Sequence, residues 1–352
     1  MVNHPSTARE VGEVDLFELV ASIWAQKALI IGFIVVATGV AAAYAFLSKP
    51  VYEARLYLQP PTLNDIADFN YGRTHEAELT PYTISDVYGV FTRNLQGESL
   101  RRAFFNNVYL PSLGDGQRQG SQDALYSDFL NTLTISGPTR DMPDRYSVAV
   151  YGSDPVQATA WVTAFVEQAG AQAKNEMITN VKREGEVRAR NIEQQVTTLQ
   201  ETESRVRNDA ISRLQEALNV AQAIGLENPP IIAGSVAAEV SAVMDGQLTY
   251  MRGTKALEAE IKNLQERKSD DPFIGNLRAL QIKRSFYQGL QVSPDHVAVF
   301  RQDGPISVPD RPIKPRKGLI LIGGFIAGGI LGVLFALGRF FVSQRRKSLQ
   351  GT

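Results

Sequence analysis

Two uncharged apolar runs, one near each end of the 352-residue chain, limit the possible folds more than any other feature. Residues 28–48 read ALIIGFIVVATGVAAAYAFLS, and residues 318–338 read GLILIGGFIAGGILGVLFALG. A helix of about 20 apolar residues spans the hydrocarbon core of a bilayer. The sequence therefore predicts transmembrane helices over 28–48 and 318–342, with everything between them on one side of the membrane.

The first run has a second interpretation as a cleaved signal peptide, because Ala43-Tyr44-Ala45 imitates a small-residue cleavage site. The residues before the run favour an uncleaved anchor instead. Residues 1–27 are longer than a typical basic leader, and they carry four acidic side chains: Glu10, Glu13, Asp15 and Glu18. Within them, residues 13–27 have the apolar spacing of a short amphipathic helix that lies at the cytoplasmic interface.

Basic residues next to the second run predict the orientation. Arg339, Arg345, Arg346 and Lys347 follow that run. Cytoplasmic loops are enriched in Lys and Arg, so both 1–27 and the tail 343–352 are predicted to be cytoplasmic and 49–317 to lie on the outer side of the membrane. A second basic cluster on the opposite side of the run favours the reverse orientation: Arg311, Lys314, Arg316 and Lys317.

The region that follows the first run predicts an α/β base domain over residues 49–153. Alternating patterns predict strands at 51–58, 132–136 and 145–152, and helical spacing predicts one helix over 84–107. A loop is predicted at 114–120 from its glycines. Residues 291–317 are predicted to return to this base as a last strand at 296–302 and a proline-rich strut with Pro309, Pro312 and Pro315 at three-residue spacing.

Residues 154–290 predict an extended helical hairpin arm. A cap residue and a proline begin the arm, and no further proline occurs until Pro229, which allows about 70 helical residues, or about 100 Å. The chain breaks at 225–235 and returns as a second helix from Met244 onward. Coiled-coil spacing with a stutter marks the packing residues: Ile192, Val196, Leu199 and Val206, then Ile211, Leu214, Leu218 and Ala221, with Leu257, Ile261 and Leu264 on the return. Gly185 is expected to mark a bend.

Composition and motifs exclude most enzyme classes. The chain has no cysteine, its three histidines lie singly, and it carries no phosphate-binding loop, dinucleotide turn or nucleophile elbow. Its formal charge of −1 excludes a bulk attraction to nucleic acid. Asp270-Asp271 is expected to be a capping or solvated pair. Six aromatic residues are expected in the core rather than stacked on sugars: Tyr82, Tyr88, Phe91, Phe104, Phe105 and Tyr109. We predict no catalytic, cofactor or metal site.

Glycines in the second run predict a helix-packing surface. Gly324, Gly328 and Gly332 recur every four residues and are followed by Ala336, so one helix face is almost bare backbone. In lipid, helices associate by close van der Waals contact, which small residues permit. The first run offers a candidate partner surface of small residues: Gly32, Thr38, Gly39 and Ala41 to Ala43. The partner helix can belong to the same chain, a neighbouring copy or another protein, and glycine is also generally common in membrane helices.

Four segments, in this order, carry a resemblance to a known family. They are DLFELVASIWAQK (15–27), KPVYEARLYLQPP (49–61), MRGTKALEAEIKNL (251–264) and RPIKPRKGLILIGG (311–324). Together with two terminal spans around a long helical hairpin, they resemble the bacterial Wzz-type chain-length determinants, which are class 1 polysaccharide co-polymerases of the inner membrane. The fold class is thus an α+β membrane protein with a periplasmic α/β base and a long helical arm.

The resemblance implies function as well as fold. It implies a homo-oligomeric ring of protomers around a cavity, which sets how many repeat units a Wzy-type polymerase adds to a lipid-linked O-antigen polysaccharide. It implies no cofactor and no glycosyl-transfer site. Class 2 relatives carry a cytoplasmic tyrosine-kinase domain, and only about ten residues follow the second span here, so class 1 is expected.

Other functions are compatible with parts of the pattern. A two-span co-polymerase or export protein for another surface polysaccharide, such as an enterobacterial-common-antigen-like polymer or an exopolysaccharide, would share every feature above. A two-span sensor needs a signalling domain, for which SQRRKSLQGT is too short. A periplasmic efflux adaptor has a helical hairpin but normally one anchor.

Overall fold

The two apolar runs form long helices in the computed structural model. The structure describes Ala21, residues 23–114, Gly116, residues 118–230, Gly246 and residues 248–350, with the backbone alone for 344–350. Helix α1 spans Lys27–Leu47, and helix α8 spans Lys317–Gln350, past the predicted end at 342. Most of the predicted interfacial helix at 13–27 lies outside the described residues.

The described chain divides into two compact units. The first comprises residues 1–60, 92–170 and 300–352, and the second comprises residues 61–91 and 171–299. This division differs from the predicted boundaries, since residues 61–91 group with the helical arm and residues 154–170 group with the base.

The first unit contains a four-stranded antiparallel sheet of order β2-β3-β1-β4. The strands are β1 (Tyr52–Gln59), β2 (Leu133–Ser136), β3 (Tyr146–Gly152) and β4 (Arg301–Gln302). Along β1, Ala54, Leu56 and Leu58 are buried, and the intervening side chains lie on the opposite face. This period of two places one apolar face on the core, as the alternating sequence predicts. The predicted strands at 51–58, 132–136 and 145–152 are confirmed.

The predicted strand at 296–302 is wrong except for its last two residues. Pro294–His296 forms a 3₁₀ turn, and only Arg301 and Gln302 pair with β1. Val297 and Val299 are buried, so their alternation reflects burial without strand pairing. The backbone between them is bonded elsewhere, because the Ala298 N–H donates to the Asp65 carbonyl at 3.0 Å.

The single predicted helix over 84–107 is wrong, because the chain forms two helices. Helix α2 spans Ile84–Gln96 and α3 spans Glu98–Phe104. Gly97 between them has extended backbone (ψ 134°), which ends the first helix and precedes the second. A π-helical turn at Phe105–Tyr109, a short helical turn at Leu110–Ser112 and helix α4 (Gln122–Thr132) follow; the sequence did not indicate α4.

Aromatic side chains form much of the core of the first unit. Phe104, Phe105 and Tyr109 pack around Phe129, with ring centroids 5.1–6.0 Å apart, and Phe165 meets Phe104 edge-on at 5.3 Å. Burial raises the pKa of Tyr109. The prediction that these aromatic residues belong to the core is confirmed for this cluster, as it is for Tyr88 and Phe91 in the second unit.

Helix α5 runs without a break over the 69 residues Pro155–Ala223, about 100 Å at 1.5 Å per residue. Its start follows the predicted signals, because Asp154 Oδ1 accepts hydrogen bonds from the backbone N–H of Val156 (2.9 Å) and Gln157 (3.3 Å). The prediction of about 70 helical residues is confirmed.

The returning side of the arm is more broken than predicted. Met244 lies outside the described residues, and Thr249–Arg252 forms a 3₁₀ turn before helix α6 (Thr254–Glu266). Gly253 separates the two with a φ of +78°, and a Cβ there would lie 2.7 Å from the Glu227 carbonyl oxygen. Only glycine fits this conformation and this close approach. Helix α7 (Leu277–Gln288) completes the return.

Candidate functional site

The predicted glycine face of α8 lies against α1. A Cβ added to Gly324 would lie 2.6 Å from the Ala41 Cβ, one on Gly328 would lie 2.7 Å from the Ile34 Cα, and one on Gly332 would lie 2.9 Å from the Ile30 Cα. These distances are shorter than van der Waals contact, so no larger side chain fits without moving the helices. Residue numbers fall along α1 as they rise along α8, so the two helices are antiparallel.

Two further contacts extend this surface toward the N-terminal end of α1 and the C-terminal part of α8. Ala336 is almost fully buried, and Gln26 Nε2 donates a hydrogen bond to its carbonyl oxygen at 3.3 Å. The rings of Phe33 and Phe335 lie beside it with centroids 5.3 Å apart. The four small residues of α8 therefore form one continuous contact with the first helix of the same chain.

Gly39 does not take part in this contact, so its predicted place on the partner surface is wrong for this helix pair. A Cβ at Gly39 would meet no described atom within 4 Å. The residues of α1 that do face α8 include Ile30, Ile34, Ala37 and Ala41. At about 100° per residue, a position two residues from Ala37 and Ala41 points to the opposite side.

The proline-rich strut pairs with the exit from α1. The Val51 N–H donates to the Lys314 carbonyl oxygen (3.0 Å), and the Ile313 N–H donates to the Val51 carbonyl oxygen (2.8 Å). The Lys317 ammonium lies 4.6 Å from the centroid of the Phe46 ring. Of the three predicted strut residues, Pro309 and Pro315 are half-buried and Pro312 is exposed. The segment that follows α1 therefore pairs with the segment that precedes α8, in addition to the contact between the two helices.

Most of the predicted arm residues lie in two apolar clusters of the second unit. Ile192 packs on a cluster of Leu79, Ala189, Tyr287 and Leu290. Leu257 and Ile261 of α6 are buried against Leu214 and Ala221 of α5, and Leu264 packs on the same cluster. Val196 is buried and Leu199 is half-buried. These positions are the side chains through which the arm's helices meet.

Val206 is the exception, because its side chain is 47% exposed. The less exposed stripe of α5 instead passes through Gln200, Arg207, Leu214 and Ala221 at a constant spacing of seven. Half-buried Ile192 and Leu199 precede this stripe at the same spacing of seven but one position earlier in the heptad. The predicted one-position stutter is therefore present, but it falls between Leu199 and Gln200, before Val206. Gln200 and Arg207 are the two polar positions of the later stripe. Gly185, expected to mark a bend, lies within unbroken α5, and a Cβ there would lie 2.7 Å from the Tyr287 carbonyl oxygen.

The two polar heptad positions bind the turn between α6 and α7. Arg207 Nη1 lies 3.0 Å from a carboxylate oxygen of Asp270, and Arg267 Nη1 lies 3.4 Å from the same side chain. Gln200 Nε2 donates to Asp271 Oδ1 at 2.8 Å. Asp270 is only 9% exposed. We name these five residues the Asp270 clamp. The expectation of a solvated or capping role is wrong for Asp270, which is a buried ion-pair partner.

Residues 61–83 are attached to the arm helices by a second polar network. Arg73 is buried and donates to the carbonyl oxygens of Phe69 (3.1 Å) and Thr80 (2.8 Å) and to Glu184 on α5 (2.6 Å). Lys283 on α7 donates to Glu78 at 2.6 Å. This bond lowers the pKa of Glu78 and raises that of Lys283. The sequence did not indicate this network, because its partners are far apart in the chain.

Comparison with known proteins shows which proteins this chain is similar to. A family model described as "Wzz: Chain length determinant protein" matches residues 12–108. A "Chain length determinant protein" of Escherichia coli O111:H- is 21% identical over 340 residues, which cover 96% of this chain and 95% of that protein. The predicted resemblance to the Wzz family is confirmed. An "ECA polysaccharide chain length modulation protein" of Escherichia coli K12 is 22% identical over 346 residues, covering 93% and 94%.

Solved structures share the fold. A full-length bacterial polysaccharide co-polymerase aligns with a TM-score of 0.67 at 20% identity and covers 94% of this chain and 99% of its own. A Shigella flexneri lipopolysaccharide O-antigen chain-length regulator, in a mutant form, aligns with a TM-score of 0.51 at 15% identity and covers 74% and 99%. The predicted fold class, with terminal helices, a small sheet and one very long helix, is confirmed.

The Wzz match also bears on chemistry and location. It confirms the prediction of a chain length regulator that is not an enzyme. Within the described residues, no group of three or more histidine or acidic side chains is placed to hold a metal. Both terminal helices are long and apolar enough to cross a membrane, and only 6% and 17% of their apolar windows are buried. Such exposed apolar helices are typical of membrane spans and not of a soluble core.

Proposed function

We propose that this protein sets the modal length of O-antigen in lipopolysaccharide biosynthesis, acting without catalysis beside a Wzy-type polymerase in the bacterial inner membrane. One observation carries the proposal. Similarity to proteins described as chain length determinants runs along nearly the whole chain, through both terminal helices, the sheet and the arm. If the two proteins shared only one segment, their similarity would not extend over all of these parts.

In this proposal both chain ends are cytoplasmic and residues 49–317 are periplasmic. The base comprises residues 49–153 and 291–317, and the arm comprises residues 154–290. Contact between α1 and α8 fixes both ends of the periplasmic region at one place in the membrane, and the bridge between Val51 and Lys314 extends this attachment into the sheet. Several copies in a closed ring would then surround a growing lipid-linked polysaccharide. Length control would follow from how long the polymer and the polymerase stay bound to the ring.

A second candidate is supported by one comparison. The enterobacterial relative described as acting on ECA polysaccharide is 22% identical, and the first chain length determinant is 21% identical. Sequence identity to these two relatives therefore does not decide which of the two polysaccharides this protein acts on. Regulation of another surface polysaccharide by the same scaffold is the alternative function.

The experiment is deletion of the gene followed by separation of the surface polysaccharides on a gel. We expect the clustered distribution of O-antigen lengths to become broad, and plasmid-borne wild-type protein to restore the cluster. Other surface polymers of the same strain are sized in parallel. A change confined to one of those polymers would support the alternative, and an unchanged length distribution in every polymer would contradict both functions.

A further inference from the structure

A cleft of about 310 Å³ lies between α5 and the C-terminal end of α7 in the second unit. Its volume is at the lower end of the range of small-ligand sites, about 300–1,000 Å³. One wall is a single face of α5 with Ile178, Lys182 and Glu186 one helical turn apart. The other wall contains Gln288 and Gln291 at and beyond the end of α7.

Three contacts connect the two walls of the cleft to each other and to their neighbours. Gly185 lies beside it, and the absence of a side chain there allows the Tyr287 carbonyl to approach α5. The Tyr287 hydroxyl, in turn, donates to the Ala77 carbonyl oxygen at 2.7 Å. Farther along, Lys174 Nζ donates to the Pro294 carbonyl oxygen at 2.9 Å. These contacts join α5 to the segment that forms the other wall.

The polar groups of the cleft are available for binding. Gln288 and Gln291 are exposed, and neither side-chain amide has a hydrogen-bond partner among the described residues. The Lys182 ammonium is also exposed and lies 4.0 Å from a carboxylate oxygen of Glu186. Glu186 accepts a bond from Arg183 at 3.1 Å and keeps further acceptor capacity. Buried Leu290 and half-buried Ile178 provide an apolar floor.

We propose that this cleft binds a short stretch of polysaccharide, and the proposal rests on the proposed function. Neutral amides donate and accept, so they suit the hydroxyl groups of a sugar, and the apolar floor suits the C–H face of a sugar ring. The mixed charges of Lys182 and Glu186 do not favour a phosphate or a nucleic acid. In a ring of identical copies, one such site per copy would bind successive repeats of one polymer. A longer polymer would then engage more sites and dissociate more slowly.

The test uses the full chain purified in detergent or nanodiscs. The probe is the strain's own surface polysaccharide, released from its lipid and fractionated to a few repeat units, and dextran of similar size measures non-specific association. We compare wild type with the double variant Gln288→Ala/Gln291→Ala. The matched control is Gln194→Ala/Gln195→Ala, which removes two exposed glutamines of α5 outside the cleft. Loss of hydrogen bonds to both amides should weaken binding about tenfold, and the control should bind like wild type.

Either of two results would overturn the site: wild type that binds the probe no better than dextran, or a cleft variant that binds as tightly as wild type. Lys182→Ala is a second variant. Because the Lys182 side chain is exposed, its removal should not disturb folding, so a loss of binding would reflect the loss of the ammonium group. Both variants should elute as the same oligomer as wild type. The gel assay separates the two proposals. If wild type sets polymer length and the cleft variants do so equally well, the binding site is wrong and the proposed function stands. If deletion changes no polymer, the proposed function fails.

Discussion

Two pairs of antiparallel helices hold this protein together, and they do so by different means. In the pair α1–α8, the glycine face brings backbone against backbone, with Gly328 against Ile34. In the pair α5–α6, apolar side chains meet at heptad positions, with Leu214 near Leu257, and a charged cluster binds the next turn. The difference follows from the solvent. Lipid provides no hydrophobic driving force between apolar helices, so close contact must supply the attraction, whereas water drives the apolar stripe of the arm together.

The comparison also explains where each pair tolerates change. A glycine contact has no side chain that can rotate away, so added atoms must displace the helices. The arm contact is made of side chains on one narrow stripe, and positions beside that stripe, such as Val206, are exposed. Steric substitutions should therefore be most severe in the membrane pair, and charge substitutions should be most severe at the Asp270 clamp.

Gly328→Leu should have the largest effect. The new side chain would meet the Ile34 Cα at 2.7 Å and the Phe33 carbonyl oxygen at 2.9 Å, and backbone atoms cannot move aside. We expect a loss of about 3 kcal/mol in the association of the two helices and a broadened polymer length distribution. Amide hydrogen exchange should remain slow in α5 and α6, because the soluble part still folds.

The matched control is Gly39→Leu. It gains the same helix propensity, but a Cβ at this position would meet no described atom within 4 Å. We expect normal length control for this variant at equal protein levels. If both variants behave alike, the glycine face of α8 is not a specific contact with α1.

Asp270→Ala should have a smaller and more local effect. It leaves Arg207 and Arg267, which are about one-fifth exposed, without their shared carboxylate. Removing one partner of a mostly buried ion pair costs about 2 kcal/mol when some solvent remains. Hydrogen exchange should become faster in α6 and in residues 267–274 and stay unchanged in α1 and α8. Asp209→Ala, which removes an exposed carboxylate of α5, should change neither region.

Much of this architecture could be predicted from sequence because its signals are local. Asp154 and Pro155 mark the start of α5, and the absence of proline before Pro229 predicts its length. Alternation predicts β1 and β3, and small residues every four positions predict a flat face on α8. Each of these inferences depends on residues that are neighbours in the chain.

The rest depends on which distant residues meet. Arg207 occupies a partly buried heptad position, where Asp270 balances its charge, so the apolar Val206 beside it was a misleading signal. Gly39 resembles the glycines of α8 but lies on the other side of α1. The alternation of apolar residues in 296–302 reflects the burial of Val297 and Val299 and not the pairing of a β-strand. Arg73 and Glu184 are 111 residues apart, and nothing in either local sequence indicates their bond.

The most direct test of the central claim, that α1 and α8 of one chain pack through the glycine face, is cross-linking in membranes. The chain has no cysteine, so Phe33→Cys/Phe335→Cys introduces its only thiols, at positions whose rings lie 5.3 Å apart. A short thiol-reactive cross-linker should join them efficiently, and the product should migrate as a single chain on a denaturing gel. Val36→Cys/Phe335→Cys, with Val36 exposed on another face, should not react this way. A product the size of two chains, or equal cross-linking of both variants, would contradict the claim.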